Sequence, residues 1–146
     1  MWSHFLKKCL VPQNNRWLKR IIVVFSFVFF DFLVTLAFCT TPAEEGNPYA
    51  KVFMDLFGIS SGLAMFDFLM NFPIYTMLCF NSHFINLPKQ LSKIVDPLVD
   101  IVFAWFLAGT HFYAATSWFW PAPVILRQVV GAGIYLVVVI TIYMKS

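Results

Sequence analysis

An acid sits where water should not reach. The run FVFFDFLVT (27–35) carries Asp31, and from Ile21 to Cys39 no other residue is charged. A charged side chain at the centre of an apolar layer costs about 2.5–3.5 kcal/mol even on lenient insertion scales, so Asp31 calls for an interior partner. Thr35, four residues on, shares its helical face. Two further groups stand in comparable surroundings, His111 and Arg127. Together Asp31, His111 and Arg127 leave two readings open. One is a buried pair that fixes helix register, with the imidazole hydrogen-bonded beside it. The other is a site that binds a proton or a ligand.

Other chemistry lacks its residues. A metal site needs three or four ligands, and neither HExxH nor His-x3-His spacing is present, so no metal is expected. There is no GxSxG for a serine nucleophile and no glycine loop for phosphate. Ser60 and Ser61 stand in GISSG (58–62), whose Gly-x3-Gly spacing suits close helix packing. Nothing in the pattern specifies a cofactor.

The elements that must hold these residues follow from composition. Of the 146 residues 60% are hydrophobic and only 12% charged, with 18 Phe and a mean hydropathy of +0.77. A soluble domain this small keeps too much surface to hide that much apolar side chain. Four stretches fit membrane-spanning helices of about 20 residues: 18–39, 50–80, 98–119 and 124–144. Pro73 is expected to break the second near its end. The predicted fold is all-α, an up-down bundle of four transmembrane helices forming one domain.

Polar residues form faces on these helices. Ser60, Asp67 and Asn71 make a stripe in the second. Asp100, Ala104, Ala108, His111 and Ala115 line one face of the third, and Arg127, Gly131 and Tyr135 recur at four-residue steps in the fourth. At 1.5 Å per residue, Asp31 lies roughly 12–14 Å below the outer boundary, His111 about 12 Å, Arg127 about 5 Å and Asp67 roughly 20 Å or more. Asp31, Thr35, His111 and Arg127 are thus expected to meet in the outer half, Arg127 reaching inward along its stem.

Charge sets the orientation. Lys7, Lys8, Arg16, Lys19 and Arg20 precede or open the first span, Lys89 and Lys93 lie in the 81–97 loop, and Lys145 follows the last span. The positive-inside rule places that loop and both termini in the cytoplasm. Scattered beside apolar spans, these basic residues do not read as a nucleic-acid surface. Before the first span, Trp2, Phe5, Leu6, Cys9 and Leu10 share one face of a short helix that Pro12 ends, an interfacial anchor. The first span begins like a signal peptide, but Phe38 and Asp31 argue against cleavage. Cys9, Cys39 and Cys79 form no CxxC pair, so neither a disulfide framework nor a thiolate metal site is expected.

Between the first two spans runs TTPAEEGNPYAK (40–51), the proposed outer loop. Asn47-Pro48 signals a turn opening a helix. Glu45 and Asn47 are placed to turn back over that helix end or into the bundle mouth. The sequence from Asp31 to Thr35, followed by Glu45-Gly-Asn47-Pro48, resembles a group of small prokaryotic integral membrane proteins classed only as a domain of unknown function. Their pattern is Asp-x3-Thr near the end of one span, then Glu-x-Asn-Pro before the next. The likeness covers about residues 25 to 70, and the chain departs from the group in carrying Asp67 in its second span. The resemblance implies that Asp31, Thr35, Glu45 and Asn47 act together, and implies no activity.

Two functional classes remain. A small chain with little mass outside the bilayer suits a non-catalytic accessory subunit, partnered by lipid and by other membrane subunits or copies of itself. The alternative is a self-contained proton-coupled carrier or intramembrane enzyme built on Asp31, His111 and Arg127.

Overall fold

The structure, a computed structural model, describes residues 7–84 and 88–144. Every regular element among them is helical. Helix α1 spans Asn15–Phe38 and is capped by Asn14, whose side chain accepts from the Trp17 N–H at 3.0 Å. A single 3-10 turn, Pro42–Glu44, leads to α2 (Pro48–Phe57) and α3 (Ile59–Phe84). Helix α4 (Lys89–Phe103) passes through a π-helical segment (Ala104–Gly109) into α5 (Thr110–Thr116), and α6 spans Val124–Met144. Ala104, Gly109 and Thr110 all keep right-handed helical dihedrals, so 89–116 is one unbroken helical run.

Three of these helices, α1, α3 and α6, are long and apolar enough to cross a membrane. Only 28%, 22% and 28% of their most apolar stretches are buried inside the protein. What they turn outward is apolar too: Ile22, Phe29, Phe68 and Val137 are all exposed. Faces of this kind suit lipid, and the fold fits an integral membrane protein.

The expected spans 18–39 and 124–144 correspond to α1 and α6 within a few residues. The 50–80 span does not survive as one helix. It divides at Gly58, whose φ of +82° a residue with a Cβ rarely adopts. Beyond the break α3 lies tightly along α2: a Cβ on Gly62 would run into the Phe53 carbonyl group. Pro73, in turn, does not end the helix. Helix α3 continues through it to Phe84, where a frayed end among apolar surroundings would expose more backbone than the one hydrogen bond proline removes. Helices α3 and α4 also extend into the expected 81–97 loop, and the third helical run begins at Lys89 rather than 98.

The main core joins Trp17, Val24 and Phe27 of α1 to Cys79 of α3, Ala104 and Ala108 of the π-helical segment, and Tyr135 and Val139 of α6. Small residues at 104, 108 and 115 let the third run pack against its neighbours. Gly131 does the same in α6, where a Cβ would meet the Phe112 side chain at 2.4 Å. A smaller cluster, Cys39, Ala50, Met54 and Leu63, holds α2 and α3 to the end of α1. Residues 7–10 are helical, and the segment after them is tied to α3. Tyr75 donates to the Leu10 carbonyl at 2.8 Å, and the Gln13 N–H donates to Ser82 Oγ at 2.8 Å. Trp2, Phe5 and Leu6 of the expected interfacial helix lie outside the described residues.

Candidate functional site

Asp31 projects from the C-terminal half of α1 toward α5. Its Oδ2 lies 2.8 Å from His111 Nδ1, a hydrogen bond and, with the ring protonated, an ion pair. Both side chains keep close to a fifth of their surface open. His111 sits two residues beyond the π-helical segment. Such a segment shifts the backbone ladder by one residue and leaves a carbonyl over. The Trp105 carbonyl accepts instead from Gln128 Nε2 at 3.2 Å and from the Thr110 hydroxyl at 3.4 Å.

The pair opens into a cavity of about 550 Å³ between α1, α2, α3 and the α5 end, roofed by the 44–47 loop. Asp67 of α3 lines it, and its carboxylate has no hydrogen-bond or ion-pair partner among the described residues; Asn71 Nδ2 donates to the Asp67 backbone carbonyl at 3.0 Å. Thr35 lines it as well, its hydroxyl oxygen accepting from Trp118 Nε1 at 3.3 Å. Phe32, Phe66, Tyr113 and Trp118 supply aromatic walls.

The loop at the mouth is built from local caps. Glu44 closes a capping box on the 3-10 turn: its carboxylate accepts from the Thr40 N–H at 2.8 Å and the Thr41 N–H at 3.2 Å. Those backbone donors, joined by the Thr40 hydroxyl, hold the Glu44 carboxyl below the ordinary carboxylate range. Glu45 Oε1 accepts from the Asn47 N–H at 2.7 Å, and Asn47 Oδ1 caps α2 by accepting from Tyr49 and Ala50. Glu45 and Asn47 therefore shape the mouth as well as line it.

No protein family, curated protein or solved structure matches this chain. The resemblance seen in the sequence rests on its short motifs, and the site has to be read from its own geometry.

Arg127 is placed elsewhere. It belongs to the first turn of α6, is 8% exposed, and stacks its guanidinium 5.3 Å from the Tyr113 ring centroid. It forms no ion pair among the described residues, and its Nε has no hydrogen-bond partner. The expected meeting with Asp31 gives way to Asp31–His111, with Tyr113 as Arg127's neighbour. Ser60 is exposed and takes no part in the cavity.

Hydroxyl nucleophiles are near but differently engaged. Ser117 donates to the Ala114 carbonyl at 2.6 Å, Thr110 to Trp105, and Thr35 receives Trp118. None makes the hydrogen bond to His111 that would activate it for attack. Among the described residues no three His, Cys, Asp or Glu side chains are grouped to hold a metal ion.

A second polar centre lies at the other end of α1, unforeseen in the sequence. Arg20 is 1% exposed and grips Asp100 with two parallel bonds, Nε–Oδ1 at 2.8 Å and Nη2–Oδ2 at 2.9 Å. Asp96 takes Arg20 Nη1 at 3.2 Å and Arg16 Nη1 at 2.6 Å. The Tyr135 hydroxyl reaches Asp100 at 3.5 Å. The signal was present: Arg16 and Arg20 are four apart, as are Asp96 and Asp100, which makes complementary ladders on two parallel helices.

Proposed function

We propose that this is a four-span integral membrane protein that binds a small ligand in the cavity between α1, α3 and α5, as a proton-coupled carrier does. Helices α1, α3 and α6 supply three spans and the continuous run 89–116 the fourth. The basic residues orient the N-terminal segment and the α3–α4 connection to the cytoplasm, so the cavity opens outward under Glu44 and Glu45. The observation that carries the reading is the Asp31–His111 pair facing a cavity of about 550 Å³. Ligand sites are commonly concave, largely apolar and furnished with a few convergent polar groups. Asp31 and His111 are each able to carry a proton, and the carboxyl groups of Asp67, Glu44 and Glu45 line the same space.

The test is reconstitution into liposomes containing a pH-sensitive dye, challenged with a panel of amines, carboxylic acids and sugars. A compound-dependent pH change that disappears in Asp31→Asn supports the carrier; no response to any compound counts against it.

The accessory-subunit reading keeps one supporting observation. On α6, Leu126, Gly133, Val137 and Ile140 point outward at helical spacing, with nothing within 4 Å of where a Gly133 Cβ would stand. A small residue inside an exposed apolar face suits close approach of another helix. Mass measurement in mild detergent separates the readings: a stoichiometric complex with other proteins favours the subunit, a lone chain or a homo-oligomer the carrier.

A further inference from the structure

We propose that the ligand of this cavity is a small organic cation bearing an ammonium group; this rests on reading the cavity as a ligand site. Four carboxylates face it, those of Asp31, Asp67, Glu44 and Glu45, against one imidazole, and none of the described lining residues is Lys or Arg. Three of the four carboxylates already accept hydrogen bonds, from His111, from the Thr40 and Thr41 N–H groups, and from the Asn47 N–H. The carboxylate of Asp67 does not. It is the acceptor left for an incoming donor, in partly buried surroundings where an unpaired carboxylate is costly.

Three of the wall's own donors are turned away. Ser117 and Thr110 direct their hydroxyl protons at backbone carbonyls, and the Trp118 N–H is fixed on Thr35. The Asn47 amide, the Tyr113 hydroxyl and the second His111 ring nitrogen also belong to the lining, but all of these are outweighed in charge by the four carboxylates. Such a surface is complementary to a positively charged group that only donates. An ammonium is that group. An anion would meet four carboxylates against one imidazole. A divalent metal lacks a three-ligand set among the described residues. The aromatic walls complete the match, since a cation over the face of Trp or Tyr is attracted by the ring quadrupole.

The decisive measurement compares thiol reagents of one size and opposite charge. Ser117→Cys is made with Cys9, Cys39 and Cys79 replaced, and the detergent-solubilised protein is labelled with 2-ammonioethyl or 2-sulfonatoethyl methanethiosulfonate, each rate normalised to a free thiol. A cavity of this charge raises the local cation concentration about tenfold or more, so the cationic reagent should win by about that ratio. Adding Asp67→Asn should cut the preference, and propylammonium should slow labelling where propionate does not. Equal rates, or a faster anion, overturn the cation assignment and leave the cavity standing. If neither reagent labels the folded protein while the denatured protein reacts, the cavity itself is closed and the ligand-site reading falls. Ala114→Cys, a second position on the same wall, gives the measurement if Ser117→Cys does not fold. In the unmodified protein, a change in tryptophan emission on adding propylammonium but not propionate is expected, and the reverse order would equally overturn the assignment.

Discussion

Removing Arg20 strands the Asp100 carboxylate in a sealed place, whereas removing Asp100 leaves Arg20 its bond to Asp96. Breaking such a pair from one side costs about 3–5 kcal/mol, whereas replacing both partners by apolar groups is often near neutral. Arg20→Met should therefore destabilise the protein by about that amount in reversible unfolding in detergent, and Asp100→Asn by less. Arg20→Met combined with Asp100→Leu should cost clearly less than the two single changes summed, because Asp96 keeps Arg16 and Ser92 as partners. Additive losses would show that Arg20 and Asp100 act separately. Glu44 offers a test by pH. Its carboxyl titrates lower in the folded loop than in the unfolded chain, so its contribution is present above the ordinary carboxylate pKa and is lost as pH falls through the lowered folded value. Hydrogen-exchange protection of residues 40–47 should weaken on acidification in the wild type. In Glu44→Gln it should be lower at neutral pH and nearly flat through the same acid window. That Asp31 needs an interior partner was legible in the sequence, since a lone carboxylate among Phe and Val has few alternatives. Which partner was not. Depth counting from assumed span ends set His111 level with Asp31 but let Arg127 reach in along its stem, and side-chain direction is set by packing that counting does not see.

At the scale of elements, glycine positions divide sharply by what surrounds them. Gly62→Ala drives a Cβ into the Phe53 backbone and should cost about 1–3 kcal/mol, typical of overpacking. Gly58→Ala meets open space but a φ of +82°, and should cost about 1–2 kcal/mol from backbone strain alone. Gly133→Ala has neither obstacle and should be neutral or stabilising by up to about 1 kcal/mol, the helix-propensity difference. Melting temperatures of the three variants in one detergent check the order, and a loss at Gly133 equal to that at Gly62 would contradict it. The Gly-x3-Gly spacing of GISSG announced close packing but not its two unequal tasks, a break at Gly58 and a contact at Gly62. The π-helical segment at 104–109 had no signature at all. It depends on Gln128 and Thr110 reaching one carbonyl, a relation between helices that periodicity along one of them does not contain.

For the whole molecule the prediction concerns sidedness. Glu44→Cys in sealed cells should react with an impermeant thiol reagent added outside, and Lys93→Cys, on the first turns of α4, should react only after permeabilisation. The opposite pattern would invert the proposed orientation and turn the cavity toward the cytoplasm. Class and approximate helix positions were legible because apolar composition at this length leaves few alternatives. The division of the second span and the start of the third run at Lys89 rather than 98 were not, because both turn on local backbone geometry.

Helix α1 and the run 89–116 point the same way and are riveted twice, by Arg20–Asp100 at one end and Asp31–His111 at the other, eleven residues apart on both chains. The rivets lie about 16 Å apart along α1 by its rise per residue. Sliding one helix past the other by a single turn, about 5.4 Å, would shear both at once, whereas either alone would act as a pivot. The two helices thus form a strut that resists piston motion. Of the helices around the cavity, α2 and α3 are the ones that neither rivet ties to this strut, and the break at Gly58 lies between them.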